Sequence, residues 1–255
     1  MKEARKLSRR SARAERRLFL ADGPKAVEGA LGADLVEEVF ATEAALEQYA
    51  DILGEAAVTL VEPRAIEMLS DAVTPAGLVA VCSFFDADWS AVASREVTSG
   101  GSSVQPRLVA ICADVRDPGN AGTVIRCADA AGADAVVLAG DAVDLYNPKT
   151  IRASVGSVFH LPIVIERDPA LAVRRATEAG LTVLAADMDG ESLFESELAG
   201  PTAWLFGNEA WGLPAPLREA SDRVVSIPIY GQAESLNLST AAAVCLFASA
   251  RAQRS

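Results

Sequence analysis

One histidine, His160, serves the whole 255-residue chain. The four cysteines, Cys82, Cys112, Cys127 and Cys245, are scattered in apolar surroundings and form no C-x-x-C pair. A zinc site needs several such ligands at close spacing, so no metal is expected. Isolated thiols in apolar contexts suit a reduced, cytoplasmic protein. No apolar run approaches the ~20 residues of a membrane-spanning helix. The basic N-terminus lacks the apolar stretch of a signal peptide, so no membrane partner is expected. No G-x-G-x-x-G follows a strand and no Walker A sequence occurs, which argues against ordinary dinucleotide and P-loop folds.

What is present is uneven in charge. The chain carries a net −12, which argues against wholesale wrapping of nucleic acid. Residues 1–17 nevertheless hold Lys2, Arg5, Lys6, Arg9, Arg10, Arg13, Arg16 and Arg17 against Glu3 and Glu15, a local net of +6. A basic arm on an acidic body suggests a local contact with a polyanion; a solvated tail has the same composition.

Half of the residues are apolar, enough for a sizeable core. Residues 1–85 read as a small α/β unit. A basic helix or arm over Lys2–Arg17 precedes a helix opened by Pro24. Strands are expected at Val36–Phe40, Ala57–Val61 and Gly77–Phe84, with helices at Glu43–Ile52 and Arg64–Leu69. Residues 86–106, with Thr98-Ser99-Gly100-Gly101-Ser102-Ser103, have the composition of a linker. From residue 107 to 255 strands and helices alternate regularly, implying a mostly parallel sheet covered on both faces.

Three strands in this second part run into polar, glycine-bearing turns. After Leu108–Cys112 comes Asp117-Pro118-Gly119-Asn120, with Asn120 read as the N-cap of a helix over Ala121–Ala131. Arg126 shares a helix face with Gly122 and can lean back toward Asn120. After Ala203–Phe206 comes Gly207-Asn208-Glu209-Ala210-Trp211-Gly212-Leu213. After Val224–Ile227 comes Pro228 and, further on, Ser235-Leu236-Asn237. Ligands of open α/β sheets sit beyond the carboxyl ends of strands, so the three loops are expected to share one site. Taken singly, Asn120, Ser235 and Asn237 also fit as helix caps, Glu209 as a solvated carboxylate, Trp211 as a packed loop anchor and His160 as a core or edge residue.

Together these stretches resemble the three motifs of the SpoU/TrmH family of RNA ribose 2′-O-methyltransferases, within the SPOUT class. The matches are Asn120-x-Gly122-x-x-x-Arg126, then Phe206-Gly207-Asn208-Glu209 with Gly212-Leu213, then Ile227-Pro228 with Ser235-Leu236-Asn237, in order over residues 108–247. Residues 1–85 resemble, more weakly, the substrate-binding domain of the family's ribosomal RNA members. The chain departs from the common pattern at Asp22-Gly23, where Glu-Gly is frequent, and at Phe247-Ala248, where Tyr-Glu is frequent.

The resemblance implies a SPOUT-type α/β parallel sheet with a deep C-terminal trefoil knot, a homodimer and S-adenosylmethionine as methyl donor. It implies a cofactor pocket at Ala185, Phe206, Gly207, Asn208, Gly212, Ile227, Pro228, Ser235, Leu236 and Asn237. It implies catalytic roles for Asn120, Arg126, Glu209, Ser235 and Asn237. Arginine keeps its proton across the working range, so Arg126 is expected to stabilise developing alkoxide and anchor phosphate, not to act as a free base. The expected substrate is 23S ribosomal RNA; Tyr146, Lys149 and Arg152 fit either a contact to it or an ordinary surface, and Trp211 fits a stack on one of its bases as well as a packed loop anchor. A transfer RNA is the nearest alternative, and a non-catalytic RNA-binding or ribosome-assembly protein is a second class of function.

Overall fold

The computed structural model describes Met1–Ala93, Arg95–Glu96 and Ser103–Ser255. The linker stretch Thr98-Ser99-Gly100-Gly101-Ser102 lies outside the described residues. The chain forms two compact units. One comprises Met1–Phe85 with Asp144–His160, and the other Asp86–Val143 with Leu161–Ser255. The segment Asp144–His160 therefore belongs with the N-terminal residues, although it lies inside the 107–255 stretch in sequence.

In the first unit, β1 (Leu18–Asp22), β2 (Val36–Ala41), β3 (Val58–Leu60) and β4 (Leu78–Ser83) form a sheet of order β1-β4-β2-β3. β4 is antiparallel to both neighbours, while β2 and β3 run parallel. β1 is a strand that the sequence reading passes over, because Leu18–Asp22 sits between two strong helix signals. The helix expected over Glu43–Ile52 is two helices, Glu43–Gln48 and Ala50–Leu53, broken at Tyr49. Thr42 caps the first of them, accepting from the Ala45 N–H at 3.2 Å.

The basic N-terminus is folded, not a loose tail. Helices Lys2–Lys6 and Arg10–Arg16 bury Ala4, Leu7 and Arg13. Arg13 donates through Nε and Nη2 to Asp144 Oδ2 at 3.1 and 2.6 Å, and through Nη1 to the carbonyls of Leu7 and Ser8 at 2.8 and 3.0 Å. The helix Pro148–Ser154 is capped by Asn147, which accepts from the Lys149 N–H. Tyr146 is buried, stacks on Phe84 with ring centroids 3.5 Å apart, and accepts at its hydroxyl from the Phe85 N–H. It is a core residue and not the surface RNA contact considered from sequence. Arg152 pairs with Asp22 and Asp71. His160 is exposed after the short turn Ser157–Phe159 and is not a core residue.

The second unit opens with the helix Trp89–Ala93 and the two-residue strands β5 (Arg95–Glu96) and β6 (Ser103–Val104). Its main sheet contains β7 (Leu108–Ala113), β8 (Ala135–Ala139), β9 (Ile163–Glu166), β10 (Thr182–Ser192), β11 (Thr202–Phe206) and β12 (Arg223–Ser226). The order is β12-β10-β11-β7-β8-β9, and every pairing is parallel. β7, β8 and β11 are buried along their whole length, the pattern of strands covered on both faces. The helix Pro118–Ala131 packs against the C-terminal helix Leu238–Arg254, which also lies on β7 and β11. There Trp204 donates from Nε1 to Ser249 Oγ at 2.9 Å, satisfying both buried polar atoms.

Burial pushes the thiols of Cys82, Cys112 and Cys245 up to about 12. Cys127 is half-buried; burial raises it, opposed by the charge of Arg126. A thiol near 12 is thiolate in only about one molecule in ten thousand at pH 8. Iodoacetamide at that pH should therefore modify Cys127 alone in the folded protein. Intact-mass measurement would show one adduct before unfolding and four after; four adducts under native conditions would contradict the packing.

Candidate active site

The first loop begins where β7 ends. Asp114 adopts a left-handed conformation, φ 55°, which an aspartate tolerates better than most residues. Its Oδ1 accepts from the Asp141 N–H at 2.7 Å, and its carbonyl accepts from Asn208 Nδ2 at 2.7 Å. Asp117 is the cap of the helix Pro118–Ala131, accepting from the Asn120 N–H at 2.8 Å. Asn120 is thus not the N-cap expected from sequence but lies in the first helical turn. Asp117-Pro118 is the same cap-then-proline signal as Asn147-Pro148, and reading it as a plain turn displaced the helix start. The consequence is functional: a capping carboxamide would be tied to its own backbone, whereas that of Asn120 is available to the other loops.

The second loop is held tightly. A Cβ on Gly207 would lie 2.4–2.6 Å from the Gly212 carbonyl group and the Leu213 nitrogen, so only glycine fits. Asn208 and Gly212 exchange backbone hydrogen bonds at 3.0 and 2.9 Å. Asn208 is buried, donating to the Asp114 carbonyl and accepting from the Ala210 N–H at 2.8 Å. Its carboxamide shapes the loop. Glu209 projects toward the first loop and accepts from the N–H groups of Arg116 and Asp117 at 3.4 and 3.2 Å and from Asn120 Nδ2 at 3.1 Å. A carboxylate is favoured beside amides leading into a helix N-terminus.

The third loop ends at Asn237, which caps the C-terminal helix. Its Oδ1 accepts from the Ser239 N–H and hydroxyl at 2.9 and 2.7 Å, while its Nδ2 donates to Asn120 Oδ1 at 3.1 Å. Ser235 is exposed and is not the cap considered from sequence. Replacing Asn237 by alanine should cost about 0.5–2 kcal/mol, read in urea unfolding, whereas Ser235→Ala should leave the midpoint in place. A shift for Ser235→Ala equal to that of Asn237→Ala would contradict this assignment.

One polar chain therefore joins all three loops: Glu209 to Asn120 to Asn237 to Ser239. Arg126 is on the same helix as Asn120, exposed, and makes no hydrogen bond or ion pair among the described residues. It does not bond Asn120, whose carboxamide is engaged by Glu209 and Asn237. A solvated guanidinium without a protein partner is suited to an anionic ligand.

The residues expected to hold a cofactor fit an adenosine-bearing group. Ile227 and Pro228 are half-buried and Leu236 is 37% exposed, giving apolar cover. Among the described residues, the backbone of 227–236 makes no backbone–backbone hydrogen bond. Its N–H and C=O groups are open to read a base edge. Phe206 ends β11 and Ala185 pairs with Leu205 on the neighbouring β10, both fully buried. Among the described residues no group of three or more potential metal ligands occurs, and no helix is long and apolar enough to cross a membrane.

Asp114, Arg116 and Asp117 have side-chain roles that the sequence did not reveal, because the first loop shows there only as a polar turn. Arg116 forms an ion pair with Asp141 at 2.8 Å, and its guanidinium lies 5.0 Å from the ring centre of Trp211. Trp211 is 54% exposed, so it is not the packed anchor expected.

Residues 107–247 match the SpoU rRNA Methylase family, and residues 1–80 match the MRM3-like substrate binding domain. The chain is 31% identical over 247 residues to the 23S rRNA (guanosine(2553)-2′-O)-methyltransferase RlmP of Bacillus subtilis (strain 168), covering 97% of this chain and 94% of that protein. The SpoU methyltransferase AviRb from Streptomyces viridochromogenes superposes with a TM-score of 0.83 at 29% identity, covering 99% of this chain and 96% of that one. The AdoMet-bound rRNA methyltransferase from Sinorhizobium meliloti gives a TM-score of 0.81 at 31% identity over 98% of this chain and 93% of its own. With its three loops joined by Asn120, Glu209 and Asn237, and with the match spanning more than half its length, the chain belongs to the SpoU rRNA methylase family.

Proposed function

We propose that this protein methylates a ribose 2′-hydroxyl of 23S ribosomal RNA, with S-adenosylmethionine as donor. The observation that carries the reading is the polar chain through Glu209, Asn120 and Asn237, with the unpartnered Arg126 on the same helix as Asn120. Full-length similarity to a 23S ribosomal RNA 2′-O-methyltransferase supports the substrate. The match of the first 80 residues to a substrate binding domain supports it further.

The cofactor, when bound, supplies a methyl group on a sulfonium. Ile227, Pro228 and Leu236 would cover its adenine, backbone groups of the third loop would read the base edge, and Gly207 and Gly212 would keep the second loop tight beside it. Asn120 and Asn237 orient ribose through their carboxamides. Glu209, which accepts three hydrogen bonds from the first loop, holds Asn120 in place. Arg126 binds the neighbouring phosphate and stabilises negative charge developing on the reacting oxygen. Ser235 remains available to ribose or cofactor.

The second unit carries the C-terminal trefoil knot and acts as a homodimer. Bare backbone contacts at Gly207 and at Gly190, whose Cβ would lie 2.5 Å from the Val224 and Val225 backbone, support the threaded packing. Exposed Phe247 on the C-terminal helix supports the dimer. The first unit binds RNA, with cations of the two basic helices as phosphate contacts. Four free thiols fit a cytoplasmic location. Nuclease digestion of 23S RNA incubated with enzyme and S-adenosylmethionine, followed by mass spectrometry, tests the reaction. A 2′-O-methylated nucleoside is the expected product; a base-methylated one would overturn the ribose assignment.

A further inference from the structure

The second loop exposes a side chain that methyl transfer as described does not use. Trp211 lies two residues beyond Glu209 and is 54% exposed, while the other two tryptophans are shielded: Trp204 is fully buried and Trp89 is half-buried. An indole in open solvent is an unusual choice for a loop otherwise fixed by Gly207, Asn208 and Gly212. The guanidinium of Arg116 sits 5.0 Å from its ring centre, and Asp141 forms an ion pair with that guanidinium at 2.8 Å. The Arg116 backbone N–H bonds Glu209, which in turn bonds Asn120. The indole is therefore connected through short links to the residues assigned to the reacting ribose.

We propose that Trp211, backed by Arg116, is a stacking platform for an unpaired nucleobase of the RNA substrate, and so a positioning residue for the target nucleotide or its neighbour. The proposal rests on the RNA 2′-O-methyltransferase reading. Single-stranded RNA bases present a π-face whatever their identity, and aromatic side chains recognise them by stacking. A cation against one face fixes the ring while leaving it amphipathic. A bare 2′-hydroxyl is common to every nucleotide, so alignment of one ribose requires that its base or an adjacent base be held. Trp211 and Arg116 provide such a hold without a base-specific hydrogen bond, and discrimination between bases is left to other contacts.

The test uses the full-length protein with a transcribed 23S RNA fragment that the wild type methylates. Trp211→Leu should raise KM for RNA roughly tenfold to a hundredfold, the range of one lost base stack. Its kcat should stay within about twofold and its affinity for S-adenosylhomocysteine should not change. Trp211→Tyr should recover most of the loss, because the π-face returns. RNA should quench the tryptophan fluorescence of wild type, and Trp211→Phe should abolish that quench while retaining turnover. A wild-type KM in Trp211→Leu would overturn the platform. So would a raised KM accompanied by a shift of sedimentation coefficient, which would make Trp211 a contact between copies. Failure of the wild type itself to methylate any RNA would instead refute the underlying reaction, and the two failures are distinguishable.

Discussion

Replacing Arg126 by alanine should reduce methyl transfer by about 10²–10³-fold while leaving cofactor binding within about twofold, the signature of a group that acts mainly in the transition state. Arg126 is exposed and makes no hydrogen bond or ion pair among the described residues, so its removal breaks no internal bond. Neighbouring Val124, Ile125 and Ala128 are buried on the core side of the same helix and are unaffected. The fold should therefore survive, and circular dichroism and the melting temperature should match wild type. Arg126→Lys should recover only part of the rate, because an ammonium keeps the charge but loses the planar two-pronged donor. Single-turnover kinetics with saturating cofactor would separate the chemical step from RNA binding. An unchanged single-turnover rate in Arg126→Ala would remove this residue from the chemistry.

Arg13→Met should produce the largest loss of stability, about 3–5 kcal/mol, because it leaves Asp144 without its charge partner in a nearly closed environment. The Arg13 side chain is 4% exposed and that of Asp144 is 14% exposed. The guanidinium also satisfies the carbonyls of Leu7 and Ser8, so the change orphans three acceptors together. A fall in melting temperature of about 10 °C or more follows for a protein of this size. Combining Arg13→Met with Asp144→Leu should restore part of it, since no unpaired carboxylate remains. Urea unfolding of the two single variants and the double variant checks this. Strict additivity of the two single losses would show that the pair does not act as a unit. Arg13 is thus a structural member of the basic N-terminus, while Lys2, Arg5, Arg9 and Arg10 are exposed.

The parallel sheet was legible because β7, β8 and β11 are continuous apolar runs, and such runs mark strands covered on both faces. The three loops were legible as glycine-bearing turns after those strands. Their connection was not. Which carboxamide faces which carboxylate depends on helix starts, and moving the start by three residues converts Asn120 from a cap into a side chain that bonds the other two loops. Likewise Arg13 and Tyr146 look like surface residues in sequence, one charged and one amphipathic. Both are buried by partners distant in the chain, Asp144 and Phe84. Pattern reading sees local periodicity and cannot see a charge matched across 131 residues. The linear division at residue 107 also hides that Asp144–His160 packs with the N-terminal residues.

The most direct test of the central claim is transfer of tritiated methyl from S-adenosylmethionine to transcribed 23S ribosomal RNA fragments, with total transfer RNA in parallel and Asn120→Ala and Arg126→Ala as controls. The expected result is label in a ribosomal fragment that falls at least a hundredfold in the Arg126→Ala variant and also drops in Asn120→Ala. Label confined to transfer RNA would contradict the substrate assignment and the role given to the first unit. No label in any RNA, with no binding of S-adenosylhomocysteine, would contradict the account as a whole.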